Sequence, residues 1–513
     1  MAVILGVVHL VGVVPKWWPT EDSGLYLSLA RSLAAGDGYQ FNGQPSSAVS
    51  PGLPLILAGI MKLPGGIGQS FVAANLLITA CGLGVLWLAY LGVSKLSDRR
   101  TALAVVIVTG FSYRFYQNSH RILSDMPAAL AVWAMLYASL RYQTGRTPWV
   151  ALAAIMSAAA IVIRLPSALV IGPFAAGILL DRSSATRRGR RLLAALAILA
   201  AAVIAWRAWI TIAGGIAPGT PGYSLMLRPE QRSGLYWLSQ PPLALYNLME
   251  SMAEYLTGQE MTLIIGLPAV AAMAVGMVTA WRAGRRFAPA AIVLFLVATV
   301  LVTGDWAIRE RYMIAYLPIF LLTMLEGVAV AVASLSRRRA VYDSQMANLV
   351  TVSVLTVLFV LANAPRTMYW AFYYSYLSYT PRYYEKIAHG NYRELMPACD
   401  VVSSHSDEES RTTLIGVNQS LVHFLSQRIV DVPLDSDGMA VEMLTDADAD
   451  FLLDQVARPD AAGLIMVNLR NTGPAFSEKF APGLAGLRES GRLELLYNGR
   501  DYQVYRHADV SGG

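Results

Sequence analysis

Long apolar runs, separated by connections that are alternately rich and poor in arginine, leave this chain few ways to fold. The runs fall near residues 2–14, 69–93, 102–118, 126–140, 148–163, 165–180, 192–213, 261–280, 287–303, 312–334 and 346–364. A helix that crosses a bilayer needs ~20 such residues, so the shorter runs have soft boundaries. Every second connection is short and basic: Lys95, Arg99 and Arg100; Arg141 and Arg146; Arg182 with Arg187, Arg188, Arg190 and Arg191; Arg282, Arg285 and Arg286; and Arg337, Arg338 and Arg339. Clusters of this kind mark the cytoplasmic side. All of them agree with one topology, with the N-terminus inside and the C-terminus outside. The pattern predicts a polytopic α-helical membrane protein of about eleven spans.

Composition supports this and limits it. Of 513 residues, 55% are hydrophobic and 14% charged, against about a quarter charged in a soluble domain. Charges return from Pro381 onward. The expected organisation is a transmembrane domain over 1–365, an aromatic interfacial linker over 366–380 and a soluble extracytoplasmic α/β domain over 381–513. A net charge of +6 does not imply nucleic acid, because the basic residues sit between apolar runs. Cys81 lies in an apolar run and Cys399 in the soluble part, so no disulfide framework is expected. The first fourteen residues lack a basic leader and a small-residue cleavage site, which predicts a retained first helix. It is short for a span, which leaves room for a start further upstream.

The outer side carries the long connections: 15–67, the segment around Tyr113–Asp125, 214–260, the Gly304–Arg311 turn and everything after Pro365. Trp17, Trp18, Tyr369, Trp370, Tyr373 and Tyr374 suit an aromatic belt there. In the tail, β-rich runs (Thr412–Val417, Ile429–Val432, Leu464–Leu469) alternate with helical ones (Ser420–Ser426, Ala447–Val456). Asn498-Gly499 between Leu493–Tyr497 and Tyr502–Tyr505 predicts a type I′ hairpin. His405 and His423 are isolated and read as structural.

Charged groups near membrane depth are costly and mark candidate sites. The first outer loop, 15–67, reads Glu21-Asp22-Ser23-Gly24-Leu25-Tyr26, and Leu25, Leu29 and Leu33 share one helical face. An interfacial helix ended by Gly36 and Gly38 is expected. Asp22 could serve only as its N-cap, and Asp125, before Pro127, only as the cap of the next helix. Arg121 adds a cation on the same side. Arg164-Leu165-Pro166 breaks an apolar stretch, and Arg309-Glu310-Arg311-Tyr312 leads into Pro318. Single arginines here also serve as snorkelling anchors. One requirement explains the set together: an acid to handle an acceptor hydroxyl, and planar guanidiniums to hold a phosphate.

Asp22-x-x-x-Tyr26, Gly36-x-Gly38-Tyr39, Ser50-Pro51-Gly52-x-Pro54, Ser124-Asp125, Arg164-x-Pro166 and Arg311-Tyr312 resemble the GT-C integral-membrane glycosyltransferases. The similar branch holds bacterial protein O-mannosyltransferases and lipid A aminoarabinose transferases. The resemblance implies transfer of a sugar from a polyprenyl-phosphate carrier to an acceptor hydroxyl of a lipid, glycan or protein on the outer face of the plasma membrane. It implies Asp22 as base, with Glu21 and Asp125 as further acidic candidates. It also implies Arg311, Arg309, Arg121, Arg164 and Tyr312 around the donor phosphate, and Tyr26, Tyr39 and Arg228 toward the acceptor. The aminoarabinose branch carries Glu-Lys where this chain has Val49-Ser50, which argues against that substrate. A divalent metal near Asp22 and Asp125 is open, though no ligand spacing calls for it. The rival readings are a lipid-linked-sugar transporter or flippase, for which no internal repeat or paired broken helix speaks, and an O-antigen-type polymerase or ligase. A mere membrane anchor leaves Asp22, Asp125 and Arg164 unexplained.

Overall fold

The structure is a computed structural model that describes residues 2–46, 49–64, 71–142, 148–182, 188–212, 234–259, 261–303, 310–338, 344–380, 383–384, 392–406, 410–415, 417, 419–431, 446–458, 463–469 and 476–508. Among the described residues, every apolar run named above is mainly helical, since a helix satisfies its own backbone in lipid. The helices are α1 (Ala2–Val11), α2 (Glu21–Ala35), α3 (Gly52–Met61), α4 (Val72–Leu96), α5 (Arg99–Phe111), α6 (Tyr113–Asn118), α7 (Asp125–Tyr142), α8 (Pro148–Ile163), α9 (Ala168–Leu180), α10 (Arg188–Ile212), α11 (Gly234–Thr257), α12 (Leu267–Arg282), α13 (Phe287–Thr303), α14 (Glu310–Met313), α15 (Leu317–Arg338) and α16 (Ser344–Met368). Five helical segments among the described residues are long and apolar enough to cross a membrane: Val72–Leu96, Gly189–Ala208, Thr262–Arg282, Leu317–Leu335 and Leu349–Ser378.

Three findings add to the expected organisation. The 214–260 connection contains α11, whose Pro241 and Pro242 hid it from a helical reading. The segment taken as an interfacial linker continues α16 as helix through Ser378, by way of a π-helical turn at Tyr369–Tyr374. Finally, along α2, the helix expected at the interface, Ser23 to Ala30 are all buried.

Small residues bring the helices together. A Cβ on Gly276 of α12 would stand 1.8 Å from the Thr323 carbonyl oxygen of α15, and one on Gly327 would stand 1.8 Å from that of Ala272. The two backbones therefore touch, as small-xxx-small helix pairs do in lipid. Three of the basic connections meet at one end of the bundle, where Arg285 pairs with Glu326 beside Leu96, Asp181 and Phe287. At the other end aromatic residues stack: Trp18 on Trp370 of a separate segment, with ring centres 4.5 Å apart, and Trp370 on Tyr374 of its own turn.

The tail forms a mixed five-stranded sheet. Its strands are β3 (Arg411–Ile415), β4 (Ile429–Asp431), β5 (Leu464–Asn468), β6 (Leu493–Asn498) and β7 (Tyr502–His507), in the order β4-β3-β5-β7-β6. β3 runs parallel to β4 and β5, and β7 runs antiparallel to β5 and β6. The β6–β7 hairpin is present, but neither Asn498 nor Gly499 has the positive φ of a type I′ turn; the connection is longer, with Gly499 N–H donating to Tyr502. An Asn-Gly turn of that kind does occur in the first outer loop. There β1 (Gln40–Phe41) and β2 (Gln44–Pro45) flank Asn42 (φ 56°) and Gly43 (φ 72°).

Candidate active site

The site assembles where four chain segments end at the aromatic side of the bundle. Thr20, not Asp22, caps α2: its hydroxyl accepts from Ser23 N–H, and the Ser23 hydroxyl accepts from Thr20 N–H at 2.8 Å. This capping box leaves the Asp22 carboxylate for other work. Asp125 opens α7 with its side chain fully buried, whereas that of Asp22 is 42% exposed. Both acids sit in the first turn of a helix, where the backbone dipole favours negative charge.

The guanidiniums come from two breaks in the apolar pattern. Arg164 is extended between α8 and the short 3₁₀ turn Leu165–Ser167. Ser50 supports that break by accepting from Leu165 N–H at 3.0 Å. Gly52 lets α3 approach, since a Cβ there would lie 2.8 Å from Ile163 Cα. The Ser50-Pro51-Gly52 and Arg164-x-Pro166 motifs are thus one structural unit. Arg164 forms an ion pair with Oδ1 of Asp125 and lies over the Tyr312 ring at 4.6 Å. Arg311, in α14, donates from Nη2 to Asp22 Oδ2 at 2.6 Å and to Asp125 Oδ2 at 3.2 Å.

Two carboxylates and two guanidiniums therefore balance in charge. Asp125, and after it Asp22, holds Arg311 firmly protonated despite burial. Burial, then the charge of Asp22, raises the Tyr26 hydroxyl above its usual range, so this group stays neutral; it shares a 2.8 Å hydrogen bond with Ser124. A narrow crevice of about 30 Å³ opens beside the quartet. Asp125, Arg164, Arg311 and Tyr312 form its polar wall, and Phe295 and Ile314 belong to its apolar one.

The structure thus brings together Asp22, Tyr26, Asp125, Arg164, Arg311 and Tyr312. Arg121 lies with its guanidinium over the Trp18 ring at 4.6 Å. Tyr39 donates to the Val49 carbonyl at 2.9 Å, which fixes the loop. Glu21 is exposed next to Asp22. Arg309 and Arg228 lie outside the described residues. Phe295 and Ile314 were missed because, in sequence, they are ordinary members of apolar runs.

The donor set does not fit a divalent metal. Both carboxylates already pair with guanidiniums, and no group of three or more His, Cys, Asp or Glu side chains that could hold an ion occurs among the described residues.

A family model described as dolichyl-phosphate-mannose-protein mannosyltransferase matches residues 48–209. The structure of ArnT from Cupriavidus metallidurans bound to undecaprenyl phosphate matches with a TM-score of 0.59 at 14% identity, covering 100% of this chain and 98% of that one. The fold is GT-C. The archaeal oligosaccharyltransferase AglB from Archaeoglobus fulgidus, in complex with an inhibitory peptide and a dolichol-phosphate, shares it with a TM-score of 0.56 at 12% identity. That match covers 100% of this chain and 74% of AglB. No curated protein matches the sequence. The GT-C resemblance read from Asp22, Ser124-Asp125, Arg164 and Arg311 is borne out at the level of fold.

Proposed function

We propose that this chain is a membrane glycosyltransferase that moves a sugar from a polyprenyl-phosphate donor to an acceptor hydroxyl on the outer face of the plasma membrane. The observation that carries the proposal is Arg311 bridging Asp22 and Asp125 inside a GT-C fold. An eleven-span topology, with basic connections cytoplasmic and the C-terminal domain outside, is the reading the arginine pattern supports, and it would put the quartet at the extracytoplasmic edge. The solved neighbours carry undecaprenyl phosphate or a dolichol-phosphate, which supports a lipid-linked donor and disfavours the transporter reading.

In this mechanism the acceptor oxygen attacks the anomeric carbon, and the carbon–oxygen bond to phosphate breaks. The bonding electrons stay on the leaving polyprenyl phosphate, which gains charge. Arg311 and Arg164 meet that charge with preorganised donors. The half-exposed Asp22 takes the acceptor proton. The buried Asp125, with a guanidinium on each oxygen, orients the arginines and is not the base. When Arg311 turns to the donor phosphate it releases Asp22, so the base becomes competent only once the donor is bound.

Mass spectrometry of envelope lipids, glycans and proteins, with and without the gene, tests the reading. One product lacking a defined hexose or pentose is the expected result. Build-up of an unmodified lipid-linked sugar on the inner leaflet alone contradicts it.

A further inference from the structure

The C-terminal domain does not merely follow the bundle in sequence; it is seated on the helix that carries Asp22. Its helix Gln419–Ser426 packs along α2. Arg31 of α2 donates to the Phe424 carbonyl at 2.9 Å, and its guanidinium lies 4.4 Å from the centre of the Phe424 ring. The same ring meets Trp17 edge-on at 5.2 Å, just before the α2 cap. A second hold lies at the Asn42-Gly43 turn. β4 is an edge strand, which leaves backbone groups open on one side. The Asn42 side chain takes both groups of one residue there: Val430 N–H donates to Oδ1 at 2.7 Å, and Nδ2 donates to the Val430 carbonyl. Asn42 N–H donates to His423 Nε2 at 3.3 Å, and Gln419 donates to the Val430 carbonyl at 3.2 Å.

We propose that the C-terminal domain positions the base, with Arg31 and Asn42 as positioning residues that fix α2 and, through it, Asp22. This rests on the reading of Asp22 as the base given above. Arg31 stands roughly 13 Å along the helix from Asp22, so a tilt of α2 at the domain contact moves the carboxylate by a comparable angle. A misplacement of about 1 Å in such a group costs ~100-fold in rate. A contact that only covers apolar surface predicts no such sensitivity.

The test uses the full-length chain. In cells, the sugar-bearing product found by envelope mass spectrometry is quantified for Arg31→Ala, Arg31→Lys and Asn42→Ala. The same purified variants are titrated with undecaprenyl phosphate. The alanine variants are expected to lower product formation by about tenfold or more while the Kd for undecaprenyl phosphate stays within about twofold, with Arg31→Lys recovering most of the loss. Unchanged product overturns the proposal, and so does a loss of product matched by a loss of undecaprenyl phosphate binding. Should the alanine variants not accumulate, the milder Gln419→Ala replaces them, with hydrogen exchange of the amides over 23–30 as the readout. Faster exchange there supports the clamp, and unchanged exchange overturns it. A wild-type chain that yields no sugar-bearing product sinks the transferase reading itself, and the exchange experiment still decides the clamp.

Discussion

Asp22 and Asp125 share one nitrogen: Nη2 of Arg311 donates to both carboxylates, at 2.6 and 3.2 Å. They differ in surroundings, since the Asp125 side chain is fully buried while that of Asp22 reaches solvent. Different outcomes are therefore expected from the same chemical change. Asp22→Asn should lower transfer by about 10²–10⁴-fold with thermal stability and undecaprenyl phosphate binding kept. Asp125→Asn removes a fully buried carboxylate that pairs with two guanidiniums and should destabilise the chain by about 3–5 kcal/mol. Thermal unfolding in detergent, alongside turnover, separates the two. Near-normal turnover in Asp22→Asn would remove it from the mechanism.

Arg311→Lys tests the planar fork. Lysine keeps the charge but presents a compact ammonium, which serves a phosphate as a point charge and not bidentately. Undecaprenyl phosphate should bind about tenfold more weakly or worse, whereas Arg285→Ala, at the opposite end of the bundle, should leave binding unchanged. Equal losses in the two variants would reduce the Arg311 assignment to a matter of topology.

Much of this site is legible in the sequence, and the reason is energetic. Asp22, Asp125, Arg164 and Arg311 stand where charge is costly, so each draws attention against an apolar background. The helices were legible for the same reason, because a lipid-facing span must be apolar along its length. What stayed hidden depends on tertiary contact. α11 carries two prolines and polar residues, so its pattern reads as a loop. α2 looks amphipathic in isolation, yet the C-terminal domain buries its other face. Asn42-Gly43 carried a hairpin signal as strong as Asn498-Gly499, but its strands are only two residues each, too short for periodicity to register.

Chelation should not stop the reaction. The carboxylates that would bind a cation are already held by guanidiniums, which supply the positive charge that a phosphate leaving group needs. Turnover in excess EDTA is expected to match the untreated protein. A loss restored by adding back Mg²⁺, Mn²⁺ or Zn²⁺ would mean that the ion displaces Arg311 from Asp22.

His423 gives the domain contact a pH dependence. Its Nδ1–H donates to the Arg428 carbonyl at 2.7 Å while Nε2 accepts from Asn42, a pattern open only to the neutral ring. Burial lowers its pKa, and the Arg31 charge adds to this against the Arg428 hydrogen bond. A histidine with a depressed folded pKa gives its full stability above the unfolded value of about 6.5, and loses it as pH falls below that value. Thermal stability should therefore drop between about pH 7 and 5, and less so in His423→Gln, which cannot titrate. Identical pH slopes for the two proteins would place the acid sensitivity elsewhere.

The contact between α12 and α15 sets where Arg311 stands, because α14 leads directly into α15. At Gly276 and Gly327 the helices meet backbone to backbone, with no space for even one added carbon. Gly276→Val cannot be absorbed by a rotamer change, because the atom in the way is the carbonyl oxygen of Thr323. The helices must separate, at a cost of about 1–3 kcal/mol or more. That movement carries the N-terminal end of α15, and Arg311 with it, away from Asp125. The expected result is a lower unfolding temperature together with weaker undecaprenyl phosphate binding. Gly284→Ala, which meets nothing within 4 Å but has a φ of +80°, should lower stability by about 1 kcal/mol and leave binding intact. If Gly276→Val lowered stability without touching lipid binding, the position of Arg311 would not depend on this helix pair.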